Sequence, residues 1–550
     1  MTKTLSVARL AALSLLAAGS AIVGPAAARG APTPRLELQK RWVYVATNLT
    51  VAARVDALLA LIDRAAAAHY TGILLADSKF ARLGEMGAGY FAGVARVRAR
   101  AAALHLEIIP SVFSLGWAEG LLSHDPNLAE ALPVKDALFV VNHGTARLVA
   151  DPAVTLKGGD FADLSIWDWK DDVVTSDAGA ARVTDPKGRN ARIVQTVRVA
   201  PFRQYHLSVR VKTKDFQGEP EVKVLAGERS LSFQSLGAKS TQEFTESHVV
   251  FNSLDLDRVT VYLGVWGGGT GSLWWDDARL EEVGFLNVVR RDGAPLSVRR
   301  EGGAALVEGR DFEPVSDPRM GTVPWRGGYE VWHEAPPLAT HLGDGTRLRV
   351  SFHHALTVGD GQVVVCPSEP KTVELLRDEA RRVHAAWNAS GYFMQHDEIR
   401  VLGWDDACAR RGLSAGQILA DDARTCVKIL RETNPGGDVY VWSDMFDPTH
   451  NAHDGYYLVR RDLSGSWEGI DKDVIVAAWN YGKRAESLRW FSGRGHRTLI
   501  AGYYDGPPER VRGWLAAARG VPQVVGVMYT TWRDDYGNLE RFAREVEDHR

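Results

Sequence analysis

Residues 393–400 read FMQHDEIR, in which four apolar or neutral polar residues lead straight into two adjacent acids, Asp397 and Glu398. Side-by-side carboxylates at the end of a buried strand are costly unless they are solvated, paired or used. An ordinary ion pair with Arg400 is the plain alternative to a catalytic role. Similar endings recur along the chain: Asp77 with Ser78, Trp442 to Asp444, Trp479 to Tyr481, Tyr503 to Asp505, and Tyr529 to Trp532. Acids among flat rings make up a carbohydrate site. Carboxylates act on an oxocarbenium-like transition state, and aromatic rings stack on sugar faces. On this reading Glu398 and Asp397 are the catalytic candidates. Asp77, His396, Trp442, Asp444, Trp479, Asn480, Tyr503, Tyr504, Asp505 and Trp532 are the substrate-binding candidates.

Such residues need a scaffold that gathers strand ends. WVYVAT (42–47), GILLAD (72–77) and LEIIPSVFS (106–114) alternate with helical stretches at 52–69 and 94–105. This β-α-β-α-β order is the mark of a parallel sheet. The alternation resumes after residue 371 with strands at YFMQHD, DVYVWSD (438–444), VIVAAWN (474–480), TLIAGYYD (498–505) and VVGVMYTTW (524–532). Helices lie between most of them. The one at 413–437 starts on a capping box, Ser414 with Gln417, and ends at Asn-Pro-Gly-Gly. Three strands plus five predict a (β/α)₈ barrel, whose active site stands at the C-terminal ends of the strands.

Residues 151–284 break the pattern with alternating segments such as YHLSVRVKT (205–213) and RVTVYLGVWG (258–267). They predict an inserted antiparallel β-sandwich. The expected organisation is therefore barrel at 38–145, sandwich at 151–284, a returning connection at 285–370 and barrel again at 371–550. RLRVSFHHA (347–355) and GQVVVCP (361–367) are assigned to the connection; if the first is a barrel strand, the numbering shifts by one.

The barrel segments resemble the β-N-acetylhexosaminidases of glycoside hydrolase family 20. Family members end their fourth strand with a histidine, two glycines and an Asp-Glu pair, matched here by Phe393 to Glu398. The resemblance implies that Glu398 is the general acid/base. It implies that Asp397 holds an acetamido group, whose carbonyl oxygen is the nucleophile. EIIPSVFSLGW (107–117) is similar to the third-strand run, and VWSD (441–444) to the strand bearing a pocket tryptophan. Arg41 stands where the family uses an arginine on sugar hydroxyls. The chain departs from the family at Ser111 and Phe113, in place of an acid pair, at Trp117 in place of a histidine, and at Gln395 and His396 in place of two glycines. Trp117 joins the substrate-binding candidates. The insert resembles jelly-roll carbohydrate-binding modules at KGGDFADLSIWDW and GTGSLWWDDARLEEV. Trp274 and Trp275 there cannot both be core, because strand neighbours face opposite ways.

The 550 residues carry a net charge of −3 with acids and bases mixed, so no basic footprint argues for nucleic acid. Residues 1–28 read as a signal peptide: Lys3 and Arg9, an apolar run from Leu10 to Val23, and small residues around Ala27. The expected location is secreted or periplasmic, with no membrane association after removal and a carbohydrate as partner. Cys366, Cys408 and Cys426 lack metal spacing and read as buried thiols. His353, His354 and His396 make no zinc set. No cofactor is expected, although Asp276 and Asp277 are candidates for a structural calcium or plain turn acids. Two rival functions follow: a glycosidase on non-acetylated sugars with Asp444 or Asp505 as nucleophile, and a glycan-binding protein on a degenerate barrel.

Overall fold

The computed structural model describes residues 35–550; the expected signal peptide lies outside them. Eight parallel strands close into a barrel: β1 Lys40–Thr47, β2 Gly72–Asp77, β3 Glu107–Val112, β4 Gly391–Met394, β5 Asp438–Trp442, β6 Ile475–Ala478, β7 Thr498–Ala501 and β8 Val524–Tyr529. Closure runs through β8 and β1, with Trp42 opposite Met528. Side chains alternate between the two faces of a strand. Trp42, Tyr44, Leu74, Ile109, Phe393, Tyr440, Trp442, Leu499 and Met528 thus fill the interior. The barrel is a packed core, not a pore, and leaves room only at its rim.

Helices α1 Ala52–Ala67, α2 Ala88–Ala103, α3 Pro370–Trp387, α4 Ala415–Thr433, α5 Arg484–Gly493, α6 Val511–Ala518 and α7 Leu539–His549 surround it. In α4 the Ser414 hydroxyl accepts the Gln417 amide at 3.2 Å, and the Gln417 side chain accepts the Ser414 amide at 3.0 Å. Such a cap contributes about 1 kcal/mol. The apolar stripe of α4, Leu419, Ala423, Cys426, Val427 and Leu430, is buried. No α-helix joins β5 to β6; the connection holds short 3₁₀ turns at Asp444–Phe446 and Ser466–Gly469 and a two-residue strand at Leu458–Val459. The chain therefore stays at the rim after β5 and keeps Asp444 there.

Residues 169–283 form two five-stranded antiparallel sheets. Trp275 is buried between strands of this insert and Trp274 is half-buried on the opposite face, its indole N–H on Asp177 at 2.9 Å. A third antiparallel sheet contradicts part of the expected organisation. The strand at Leu132–Asn142, read as barrel, and the strand at Thr145–Leu148, at the edge of that segment, pair with Arg347–His354 and Leu338–Ala339, read as connection. The first barrel segment thus ends at β3. Residues 361–367 form no strand; their backbone zips along the chain after β3, with Val365 bonded to Leu115 at 3.1 Å and Cys366 to Leu128 at 2.8 Å. Among the described residues, no helix is long and apolar enough to cross a membrane.

Candidate active site

Where β4 leaves the barrel, its backbone stays tied to β3: Gln395 N–H donates to Val112 at 2.8 Å, and Leu115 N–H donates to Gln395 at 3.2 Å. Gly116 lies against the Asp397 carbonyl so closely that a side chain there would collide with it. This contact brings Trp117 beside the acids. Glu398 has a φ of +50°, a left-handed conformation that costs a non-glycine residue energy and persists only when held. It is held at three points. Its N–H donates to Asp444 Oδ2 at 2.9 Å, its carbonyl accepts Gln362 Nε2 at 2.7 Å, and its Oε1 pairs with Arg400 at 3.0 Å.

The result is a cavity of about 350 Å³ lined by Tyr44, Trp117, Gln395, Asp397, Glu398, Trp442, Trp479, Tyr504 and Trp532. Trp442 is the floor. Trp479 and Tyr504 stand nearly parallel, 5.8 Å apart and 13° between planes, and Trp532 is 5.6 Å from Trp442. Seven of these were expected from strand ends or from the third-strand run. Tyr44 and Gln395 were missed, although period-2 alternation from Trp42 and from Phe393 points both inward.

Burial pushes the Asp397 carboxyl well above the usual range, and the charges of Asp444 and Glu398 add to the effect. Burial likewise pushes Asp444 up to about 7; the hydrogen bonds from Glu398, Trp479 and Asn451 pull it down and the Glu398 charge pushes it up. Asp444 is fully buried beneath the cavity. Its Oδ2 accepts Asn451 Nδ2 at 3.0 Å besides Glu398, and its Oδ1 accepts the Trp479 indole at 3.3 Å. Its place is under the wall, where it holds Glu398 and Trp479. Burial lowers the Arg400 guanidinium, but Glu398 together with Tyr456 and Tyr457 outweighs this and raises it. Arg400 also lies over the rings of Trp117, Tyr457 and Phe233, the last from the insert, at 5.8, 5.2 and 5.3 Å.

Other expected contacts fall elsewhere. Arg41 is the second residue of β1, at the end of the barrel opposite the acids, and pairs with Glu547 of α7 at 3.6 Å. His396 points out of the barrel, because its neighbours Gln395 and Asp397 point in; it bonds Asp422 of α4 at 3.0 Å. Tyr503 is buried, stacked 4.0 Å from Tyr529, while its neighbour Tyr504 lines the cavity. Asn480 accepts Lys483 N–H at 3.3 Å and caps a turn. Asp505 accepts the Trp532 amide at 2.7 Å and so supports that ring. Asp77 lies in a neighbouring chamber with Trp117 and Gln395.

Asp276 and Asp277 in the insert are engaged with neighbouring groups. Asp277 pairs with Arg279 at 2.8 Å, and Asp276 accepts the Asp277 amide at 2.8 Å. Among the described residues, two buried groups gather ligand-type atoms within 4.8 Å, Glu130–Cys366–Asp405–Cys408 and His396–Asp422–Cys426. In the first, Asp405 is taken by the Arg291 guanidinium at 2.6 Å, a cation where a metal would compete. In the second, His396 Nε2 is already engaged with Asp422 at 3.0 Å, while its Nδ1 has no hydrogen-bond partner among the described residues.

No family model matches the chain, and no curated protein matches it by sequence. Solved structures similar to it include glycosidases. The chitobiase of Flavobacterium johnsoniae is 9% identical with a TM-score of 0.38, covering 93% of this chain and 51% of its own. The rhamnosidase of Novosphingobium sp. PP1Y is 10% identical with a TM-score of 0.31, covering 90% and 55%. A family 4 carbohydrate-binding module is 18% identical with a TM-score of 0.18, covering 21% of this chain and 77% of its own. The chain spans about half the length of the two enzymes. These likenesses are too distant to carry an activity across, and the site speaks through its own residues.

Proposed function

We propose that the protein hydrolyses glycosidic bonds, as an exo-acting enzyme of the β-N-acetylhexosaminidase kind with a retaining mechanism. One observation carries this reading: two adjacent carboxyls open into a cavity of about 350 Å³ whose floor and walls are Trp442, Trp479, Tyr504, Trp532 and Tyr44. That size suits a terminal sugar ring rather than a long chain. In the first step one carboxyl protonates the leaving oxygen as the C1–O bond breaks. The acetamido carbonyl oxygen of the substrate bonds to C1, and the other carboxyl orients that group. Water then opens the cyclic intermediate, giving its proton to the first carboxylate. The family resemblance gives proton transfer to Glu398 and orientation to Asp397.

The Arg400 ion pair favours a second assignment within the same reaction. A carboxyl on a guanidinium suits the charged role, and Asp397, pushed well above the usual range by burial, suits the proton donor. Dinitrophenyl glycosides separate the two, because that leaving group departs without protonation. If Glu398 is the donor, Glu398→Gln keeps turnover of the dinitrophenyl substrate and loses that of the plain aryl glycoside. If Asp397 is the donor, Asp397→Asn behaves so. Full activity of both variants on both substrates would remove Asp397 and Glu398 from the chemistry, and failure of the wild-type protein to cleave either substrate would end the glycosidase reading. Inhibition by a thiazoline mimic of the cyclised intermediate checks the acetamido nucleophile.

A further inference from the structure

Beside the catalytic cavity lies a second chamber of about 230 Å³, and Trp117 and Gln395 line both. Its floor is the inner face of the other half of the barrel, where Ala46, Ala76 and Ser111 stand in place of bulky residues. Small side chains at the tops of β1, β2 and β3 make this room, as tryptophans fill the opposite half.

Two buried polar groups of this chamber lack partners within the protein. Glu379 of α3, 3% exposed, accepts the Phe113 amide through Oε1 at 3.2 Å, while its Oε2 has none. The Ser111 hydroxyl, on a residue 4% exposed, has none either. Orphaned buried polar atoms are rare and costly, on the order of 1–3 kcal/mol each, and call for a partner. Burial pushes Glu379 up to about 8, so near neutrality it holds a proton and offers both an O–H and a carbonyl. Asp77 and Glu119 also line the chamber, both raised by burial. No lysine, arginine or histidine lines it. A group that must both give and accept hydrogen bonds, without bringing negative charge, is a neutral hydroxyl.

We infer that the chamber is a second sugar subsite, which binds an uncharged pyranose next to the one in the catalytic cavity, through Ser111 and Glu379. The inference rests on the proposed function and narrows it: the substrate is a neutral oligosaccharide of at least two residues, and uronic or sulfated rings are rejected at this position. Trp117, common to both cavities, is the platform between the two rings.

The test uses the full-length protein and non-hydrolysable thio-linked N-acetylglucosamine ligands, measured by calorimetry. The thio-disaccharide should bind at least tenfold tighter than the monosaccharide. Ser111→Ala and Glu379→Met should each remove most of that gain, Glu379→Gln, whose amide still donates, should keep part of it, and a disaccharide carrying a uronic acid should lose it. Retained melting temperatures show that the variants fold, and Gln at 379 still accepts the Phe113 amide. Equal affinity for one and two rings, or a gain untouched by both Ser111→Ala and Glu379→Met, would overturn the subsite. If aryl glycosides are still turned over in that case, the proposed function stands; if no sugar binds and none is cleaved, both fall.

Discussion

The main-chain N–H of Glu398 donates to the carboxyl of Asp444, 2.9 Å away, and this bond ties the end of β4 to the turn after β5. It holds Glu398 at its positive φ, while the other Asp444 oxygen holds Trp479. Asp444 also sets charge, being among the groups that push Asp397 up. Asp444→Asn keeps the shape and removes that charge. It should bring Asp397 back toward its ordinary range, so any limb of the pH–rate profile due to Asp397 should shift to lower pH. Asp444→Ala should instead leave the Glu398 amide unpaired and lower stability by about 1–3 kcal/mol. Identical pH profiles and melting temperatures for wild type and both variants would remove Asp444 from the machinery.

Glu379 makes stability depend on pH in a defined direction. In the unfolded chain its carboxyl loses its proton near the ordinary 4.5; in the folded protein it keeps it up to about 8. Between those values the unfolded state binds fewer protons, so stability falls as pH rises and is fully present below 4.5. The difference corresponds to roughly 5 kcal/mol by the standard conversion. Glu379→Gln has no proton to lose. Its melting temperature relative to wild type should therefore climb between pH 5 and pH 8.5, and a constant offset across that range would show that Glu379 ionises freely.

Strand ends were legible because period-2 alternation and terminal polar residues are local signals. Strands of the barrel could thus be read from short runs, and with them Trp117, Asp397, Glu398, Trp442, Trp479, Tyr504 and Trp532 in one cavity. The third sheet was not legible. Leu132–Asn142 finds its partner at Arg347–His354, about two hundred residues on, and nothing local announces such pairing. Arg41 failed as a sugar ligand because a residue at the start of a strand lies at the far end of the barrel from the acids. His396 failed because it was read with its acidic neighbours instead of by alternation. Glu379 escaped attention because a lone acid on an amphipathic helix looks solvent-facing until α3 packs on β3.

Thiol chemistry offers a check on the packing. Cys366 and Cys408 sulfurs lie 3.7 Å apart, unbonded, and Cys426 sits in α4; all three are buried. Burial pushes the Cys366 and Cys426 thiols well above the ordinary value, which suppresses the reactive thiolate. A thiol reagent should label none of the three in the native protein and all three after denaturation without reductant. A single reactive thiol in denaturant would show that Cys366 and Cys408 are joined.

The insert reaches the site through Arg400. Phe233, in the insert strand Arg229–Ser235, lies 5.3 Å from the guanidinium that pairs with Glu398, and Arg229 of the same strand donates to the Val459 carbonyl at 3.0 Å. The insert thus covers the Arg400 side of the ion pair, where the arginine side chain is 8% exposed, and a cation shielded from water attracts its partner more strongly. Arg400→Met leaves the Glu398 carboxylate without its cation and should lower kcat/KM at least a hundredfold. Phe233→Ala opens the cover and should lower it about tenfold. Because both act on one interaction, the double variant should be little worse than Arg400→Met alone, a coupling of about 1 kcal/mol in the double-mutant cycle. Strict additivity would mean that Phe233 acts on the insert only, and that the sheets of residues 169–283 have no part in holding Glu398.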